Sequence, residues 1–356
     1  PSAGGEYENN KYLGYGIRFE SDNTQTNYFD GIDIDNLDIS LTGHYGLHIR
    51  NRMSSRDANY YHRNININNL TILNTGGAGL VFAGTKDVLV EHSTFKGTGS
   101  DNDSRMYNRG SGLWTYRTND AVIQHCIFED AYGPIDSYGA HIDWGNERVI
   151  VQYSLSKNNY GGFAEILGDN INCGYRYNIS IGDGKRRTND NGNHNGGIFF
   201  ISDYAGENRN VGSSNNFIYN NTIYIPSVNS IDSSPMTPEI FIKGNTLSTY
   251  IYNNLIFIEP GASLDLETLN DINYNFFRNN LYFGTVNFNS NSNNTSFHSS
   301  EFSDLDPKLS NPGGLIANDY KLIASSVALN QGKLISGSTN STQYIQNNGG
   351  RDYFGN

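Results

Sequence analysis

Two carboxylates, Asp143 and Glu165, occupy matching positions in the segments GAHIDWG (139–145) and GGFAEILG (161–168). If these segments are neighbouring strands of a parallel sheet, the acids share one face at a strand spacing of about 4.8 Å. Like charges that close push one carboxyl pKa up while the other stays ionised. Glycoside hydrolysis needs that division: a protonated acid for the leaving oxygen and a carboxylate facing the sugar carbon. A separation of about 5–5.5 Å corresponds to retention and about 6.5–9.5 Å to inversion, so the spacing leans to retention and one rotamer change reverses it. His141 lies on the Asp143 strand, where it can bond a sugar hydroxyl or tune a carboxyl. The same pair would also suit a solvated surface or a bound cation.

The elements that must position these acids are legible as a repeat. A short phrase returns as DNLDIS (35–40), NNLTIL (68–73), EHSTFK (91–96), QHCIFE (124–129), QYSLSK (152–157), RYNISI (176–181), YNNTIY (219–224), YNNLIF (252–257) and RNNLYF (278–283). Constant strands with variable material between copies are the mark of a stacked solenoid. The expected fold is therefore all-β: a single-stranded parallel β-helix of about nine or more coils. One domain spans 1–356, with regular coils over about 30–290 and a closing coil and cap over about 300–356. The recurrent Asn residues (Asn36, Asn69, Asn220, Asn221, Asn253, Asn254, Asn279 and Asn280) are expected to hold turns and to stack into ladders. Cys126 takes the place of Ser93 and Ser154 in the phrase and reads as a small buried side chain.

A second, Gly-led strand precedes most phrases. Aligned on that Gly, one face carries Leu47/Ile49, Leu80/Phe82, Leu113/Thr115, Ala140/Ile142, Gly162/Ala164 and Gly197/Phe199. Being small or apolar, these are assigned to the core. The other face carries His48/Arg50, Val81/Ala83, Trp114/Tyr116, His141/Asp143, Phe163/Glu165 and Ile198/Phe200. That set makes a poor core and a good binding surface. Trp114, Tyr116 and Phe163 are candidate platforms for the apolar faces of sugars. Insertions at 53–63, 97–110, 130–139 and 182–195 are expected to wall a groove over this column. They bring Arg105, Arg109, Lys185, Arg186, Arg187 and His194, and the strands add Arg50, Arg52 and Arg117. Cations gathered beside a groove in an acidic protein suit an anionic ligand, and Arg forks fit sulfate and carboxylate.

Composition narrows the classes further. A net charge of −12 argues against nucleic acid or anionic membrane as the main partner. No segment approaches the ~20 apolar residues of a membrane span. Two cysteines give no disulfide framework. No leader stands at Pro1, so the chain reads as a processed one. The string SDND (100–103) lacks the Gly and Glu offsets of an EF-hand loop, so no catalytic metal or cofactor is expected and calcium would at most be structural.

With these coils, Asn turns and acidic groove, the chain resembles the right-handed parallel β-helix carbohydrate-active enzymes of the pectate-lyase-like superfold. The stretch 139–170 is similar to β-helix glycoside hydrolases, in which an Asp nucleophile and a Glu acid/base come from successive coils; that implies these roles for Asp143 and Glu165. DPKL (306–309) with NDYKLIASSVALNQG (318–332) looks like the closing coil of many bacterial β-helix enzymes. Sulfated-fucan hydrolases are among the enzymes the chain resembles. The resemblance implies a secreted, periplasmic or cell-surface hydrolase, endo-acting on an anionic polysaccharide. A polysaccharide lyase, with Arg50, Arg117, His141 or Tyr116 serving the elimination, stays open. So does a tailspike-like binding module. Oligomeric state is not legible.

Overall fold

The repeat winds into coils of three parallel strands, which stack into three flat faces. A computed structural model describes residues 7–8, 11–12, 14–21, 27–52, 57–187, 196–206, 209–246, 249–269, 275–290, 295–297, 304–333 and 352–354. The first face, A, runs Ile17–Glu20, Leu47–Arg50, the opening of Leu80–Glu91, the opening of Leu113–Gln124, Tyr138–Ile142, Gly162–Ile166, Gly197–Ile201, Glu239–Lys243, Leu264–Leu269 and Val286–Ser290. Every pairing along it is parallel. Face B follows with strands such as Glu147–Gln152 and Gly174–Arg176, and face C with strands such as Leu155–Lys157 and Ile179–Ile181. The molecule is thus a right-handed parallel β-helix, the hand that parallel crossovers almost always take.

The core is the narrow space between the faces. Leu47, Ile49, Leu80, Phe82, Leu113, Ala140 and Ile142 fill it from face A, as the alternation predicts. Phe163 departs from expectation. It turns inward and packs on Tyr175 and Phe199, 5.6 and 6.2 Å between ring centres. The cause is the Gly161–Gly162 pair, which interrupts the alternation. A Cβ on Gly162 would stand 1.7 Å from the Gly197 carbonyl oxygen, so only glycine lets the coils approach there.

The corner between B and C is the repeated phrase. Asn36, Asn69, His92, His125, Tyr153, Tyr177, Asn220, Asn253 and Asn279 all adopt left-handed backbone, φ between 49 and 58°, a conformation Asn tolerates best. The next residue points inward. Asn178 donates to Asn221 (3.1 Å), Asn221 to Asn254 (3.0 Å) and Asn254 to Asn280 (3.0 Å). In earlier coils Ser93, Cys126 and Ser154 hold the same place, and Cys126 is buried and free.

The expected closing coil falls partly outside the described residues, and of those described 304–333 add no strand to the three faces. Within 304–333, Leu309 bridges only Leu322, and a 3-10 turn spans Ala317–Tyr320. Leu309 and Tyr320 lie as a strap against the outer side of face C, on Ile179, Ile181, Tyr224, Leu255 and Phe257. Their apolar side chains find a partner there because face C is apolar on both sides. Beyond 333, only 352–354 of the expected closing coil and cap fall among the described residues, and Tyr353 and Phe354 join the strap. No helix among the described residues is long and apolar enough to cross a membrane.

Candidate active site

The outward side of face A carries the chemistry, in two adjacent columns. One runs Val81, Trp114, His141, Glu165, Phe200 and Phe241, each paired with the next. Glu165 therefore stands opposite His141, and Asp143 falls two positions further along. The expected same-row pairing of Asp143 with Glu165 is shifted by two residues. The reason is that Gly161 belongs to the turn, where its N–H donates to Ser137, and Gly162 opens the strand opposite Tyr138. A two-residue slip keeps every side chain on its face, so the acids still converge.

Each group is held from below. The Tyr175 hydroxyl, inside the core, sits 2.8 Å from the Ala140 carbonyl and 3.0 Å from that of Glu165, tying the two strands together. Asn146 and Asn170 both donate to the Asp143 carbonyl and fix the turn after it. The Trp114 indole N–H donates to Asp143 Oδ2 at 2.8 Å. Trp114 lies flat on His141, ring centres 5.1 Å apart and 7° from parallel. His141 Nε2 is 3.3 Å from Glu165 Oε2 and 3.9 Å from Asp143 Oδ1.

A third carboxylate, absent from the sequence reading, completes the cluster. Asp136 comes from the 130–139 insertion, where it and Ser137 both take left-handed backbone, φ 58 and 68°. Arg109 Nε donates to its carboxylate at 2.7 Å, and Arg186 Nη1 donates to its main-chain carbonyl at 3.1 Å. Donor atoms of Asp136, His141 and Glu165 all fall within 4.8 Å of one another. This trio could share a cation, but the Arg109 guanidinium already holds Asp136 and Arg186 lies alongside, so positive charge is supplied by the protein itself.

Burial sets the protonation. Glu165 is pushed well above the usual carboxylate range, first by burial and then by the charges of Asp136 and Asp143. Asp143 is raised to about 7 by burial and by Asp136, against the Trp114 hydrogen bond. His141 is lowered to about 4 by burial, so it is neutral at physiological pH. Its ring nitrogens and Glu165 Oε2 are buried without a well-aligned hydrogen bond.

Over this cluster opens a cavity of about 330 Å³, lined by Arg109, Asp136, Glu165, Arg186, Phe200 and Lys243 among others. Three insertions do wall it, through Arg109, Pro134–Asp136 and Arg186. Trp114, His141 and Asp143 lie beneath or beside its rim. Tyr116 is next to Trp114, with ring centres 6.4 Å apart. Arg117 lies over Tyr116 and donates to the Asn51 carbonyl, while Arg50 faces Glu20 at 3.8 Å. Both form a shoulder toward the N-terminal coils, outside the cavity. Arg187 turns away to Ser234, Pro235 and Thr237. His194 lies outside the described residues. Asp136 and Lys243 escaped the sequence reading because one sits in an insertion and the other ends a strand that carries no other polar group on that side but Glu239. The proline and glycine of GPIDSYG around Asp136 are the one signal of a constrained loop.

No protein-family model matches the chain, and no curated protein matches it. Among solved structures it is similar to an alginate lyase from Paenibacillus sp. str. FPU-7, 17% identical over 77% of this chain and 76% of that one, TM-score 0.41. It is also similar to a mutant tailspike protein of E. coli bacteriophage HK620 in complex with a pentasaccharide, 10% identical over 81% of this chain and 51% of that one, TM-score 0.52. A double mutant of the same tailspike gives 8% identity over 84% and 61%, TM-score 0.49. The chain thus spans between half and two thirds of the tailspike's length, and what is shared is the β-helix fold.

Proposed function

We propose that the protein is a polysaccharide hydrolase, acting inside chains of an anionic polysaccharide such as a sulfated fucan. The observation that carries this reading is a pair of carboxyls facing one cavity, Glu165 buried and held protonated and Asp136 bonded to the Arg109 guanidinium. Glu165, held protonated by burial, is the general acid for the leaving oxygen. Asp136, held by Arg109, is the carboxylate that faces the sugar carbon as nucleophile or base. Asp143, itself raised to about 7 by burial, accepts the Trp114 indole N–H and so holds that ring flat against His141. Arg109, Arg186 and Lys243 complement a sulfate or carboxylate. A groove on the flank of a solenoid is open at both ends, which suits cleavage within a chain. A substrate too large to cross a membrane places the enzyme outside the cytoplasm, secreted, periplasmic or on the cell surface.

The test is digestion of algal and plant polysaccharides with reducing ends and ultraviolet absorbance followed together. New reducing ends without absorbance, lost in Glu165→Gln and Asp136→Asn, support hydrolysis. Activity kept in Asp136→Asn and lost in Asp143→Asn would move the nucleophile's role to Asp143. One observation favours a second reading, elimination: a neutral His141 next to Glu165, with Arg109, Arg186 and Lys243 lining the cavity, could take the proton next to a uronate. Absorbance from a conjugated double bond, rising with the reducing ends, would establish that lyase.

A further inference from the structure

Resting on the reading of this cavity as a polysaccharide site, we infer that Lys243 selects the substrate by binding an anionic substituent, sulfate or carboxylate, on a sugar two coils away from Glu165. Face A advances about 4.8 Å per coil, close to the length of one pyranose, so a glycan lying along the helix meets one coil per sugar. From Glu165 the outward column passes to Phe200 and then to Phe241. The two rings are stacked, 5.6 Å apart and 3° from parallel. Lys243, next along the Phe241 strand, holds its ammonium 5.4 Å from the Phe200 centre and 5.9 Å from that of Phe241.

Three facts single this lysine out. It lines the cavity that contains Glu165. No ion pair joins it to a carboxylate among the described residues, whereas Arg109 is committed to Asp136 and Arg186 to the 134–136 loop. Its ammonium lies over two aromatic rings, which hold it at the groove and lower the entropy lost on binding an anion. Lys243 is therefore a cation of the cavity with no carboxylate partner among the described residues, two coils from Glu165.

The inference is tested by binding to the inert Glu165→Gln protein, with Lys243→Ala and Lys243→Arg added in turn. The probes are a sulfated fucan, a polyuronate such as alginate, and a neutral glucan as control, measured by calorimetry at low and raised salt. Lys243→Ala should weaken the preferred anionic probe about tenfold and flatten its salt dependence, and Lys243→Arg should restore most of the affinity. The neutral control should bind no better than before. Whichever anionic probe shows the loss identifies the substituent as sulfate or carboxylate. In the active protein the same change should raise KM about tenfold and leave kcat nearly unaltered, since Lys243 does not touch the reacting bond. Undiminished anion binding by Lys243→Ala, when the parent binds, overturns the role of Lys243 alone. Absence of binding to every anionic probe by the parent overturns the polysaccharide reading and this inference with it.

Discussion

At the scale of single residues, the site works by keeping a proton where water would remove it. Glu165→Gln and Asp136→Asn should each lower turnover by about 10³-fold or more, a typical upper range for lost general acid or nucleophile function, with the fold retained. Parallel loss of fold, read by circular dichroism, would mark either residue as structural. Asp143 makes a separate prediction about stability. Its folded pKa of about 7 lies above its ordinary 3.8, so its contribution is full below about pH 4 and is lost as pH rises through 7. Each unit of that displacement is worth about 1.4 kcal/mol. Asp143→Asn, neutral throughout, should therefore gain in melting temperature relative to the parent at pH 8 and not at pH 4. His141 acts in the opposite sense, stabilising above 6.5 and destabilising as pH falls through about 4, but it is present in both proteins and cancels. A melting difference independent of pH would refute the buried protonated state.

At the scale of elements, the two periodicities of the chain were unequally legible. Alternation along face A placed Leu80, Phe82, Ala140 and Ile142 inside and Trp114, His141 and Glu165 outside, because a sheet admits only two directions. Register was harder. Aligning the leading glycines set Gly139 beside Gly161, whereas the strands pair Tyr138 with Gly162, and that difference of two moved Asp143 opposite Glu165 where His141 belongs. It also hid the inward turn of Phe163, since alternation fails where a glycine takes a backbone that other residues avoid. Asp136 was illegible for another reason: it lies on an insertion, and no period governs an insertion. The Asn ladder was readable from spacing alone and carries a measurable load. Asn221 donates to Asn254, Tyr175 and Tyr219 oxygens. Asn221→Ala strands these buried acceptors and should cost about 2–3 kcal/mol in denaturant unfolding. A cost within about 0.5 kcal/mol, the range of ordinary surface changes, would show that the ladder is decorative.

At the scale of the whole molecule, the strap over 304–333 makes a long thin coil tolerable by covering its apolar flank. Tyr320 is buried against Tyr224 and donates its hydroxyl to the Gly314 carbonyl at 2.8 Å. Tyr320→Ala should destabilise by about 3–4 kcal/mol, as for other large-to-small changes in a core, and expose face C to a hydrophobic dye. No gain in dye binding would mean the strap only rests on the surface.

The three corners of the coil, meanwhile, have divided their labour. Between B and C each described crossing from Asn36 to Asn279 is closed by one left-handed residue, followed by an inward Leu in the first two coils and an inward Ser, Cys or Asn in the later ones. Between C and A the chain is free to wander, and the stretches from Thr98 to Leu113, Glu129 to Tyr138 and Ile181 to Gly197 carry the cavity's Arg109, Asp136 and Arg186. Doubling such a loop adds only about 0.6 kcal/mol of closure entropy. The rigid corner is what makes the variable one safe to alter: lineages, or engineers, can trade entire C-to-A loops for new ligand preferences while the spine that holds Glu165 goes on winding unchanged.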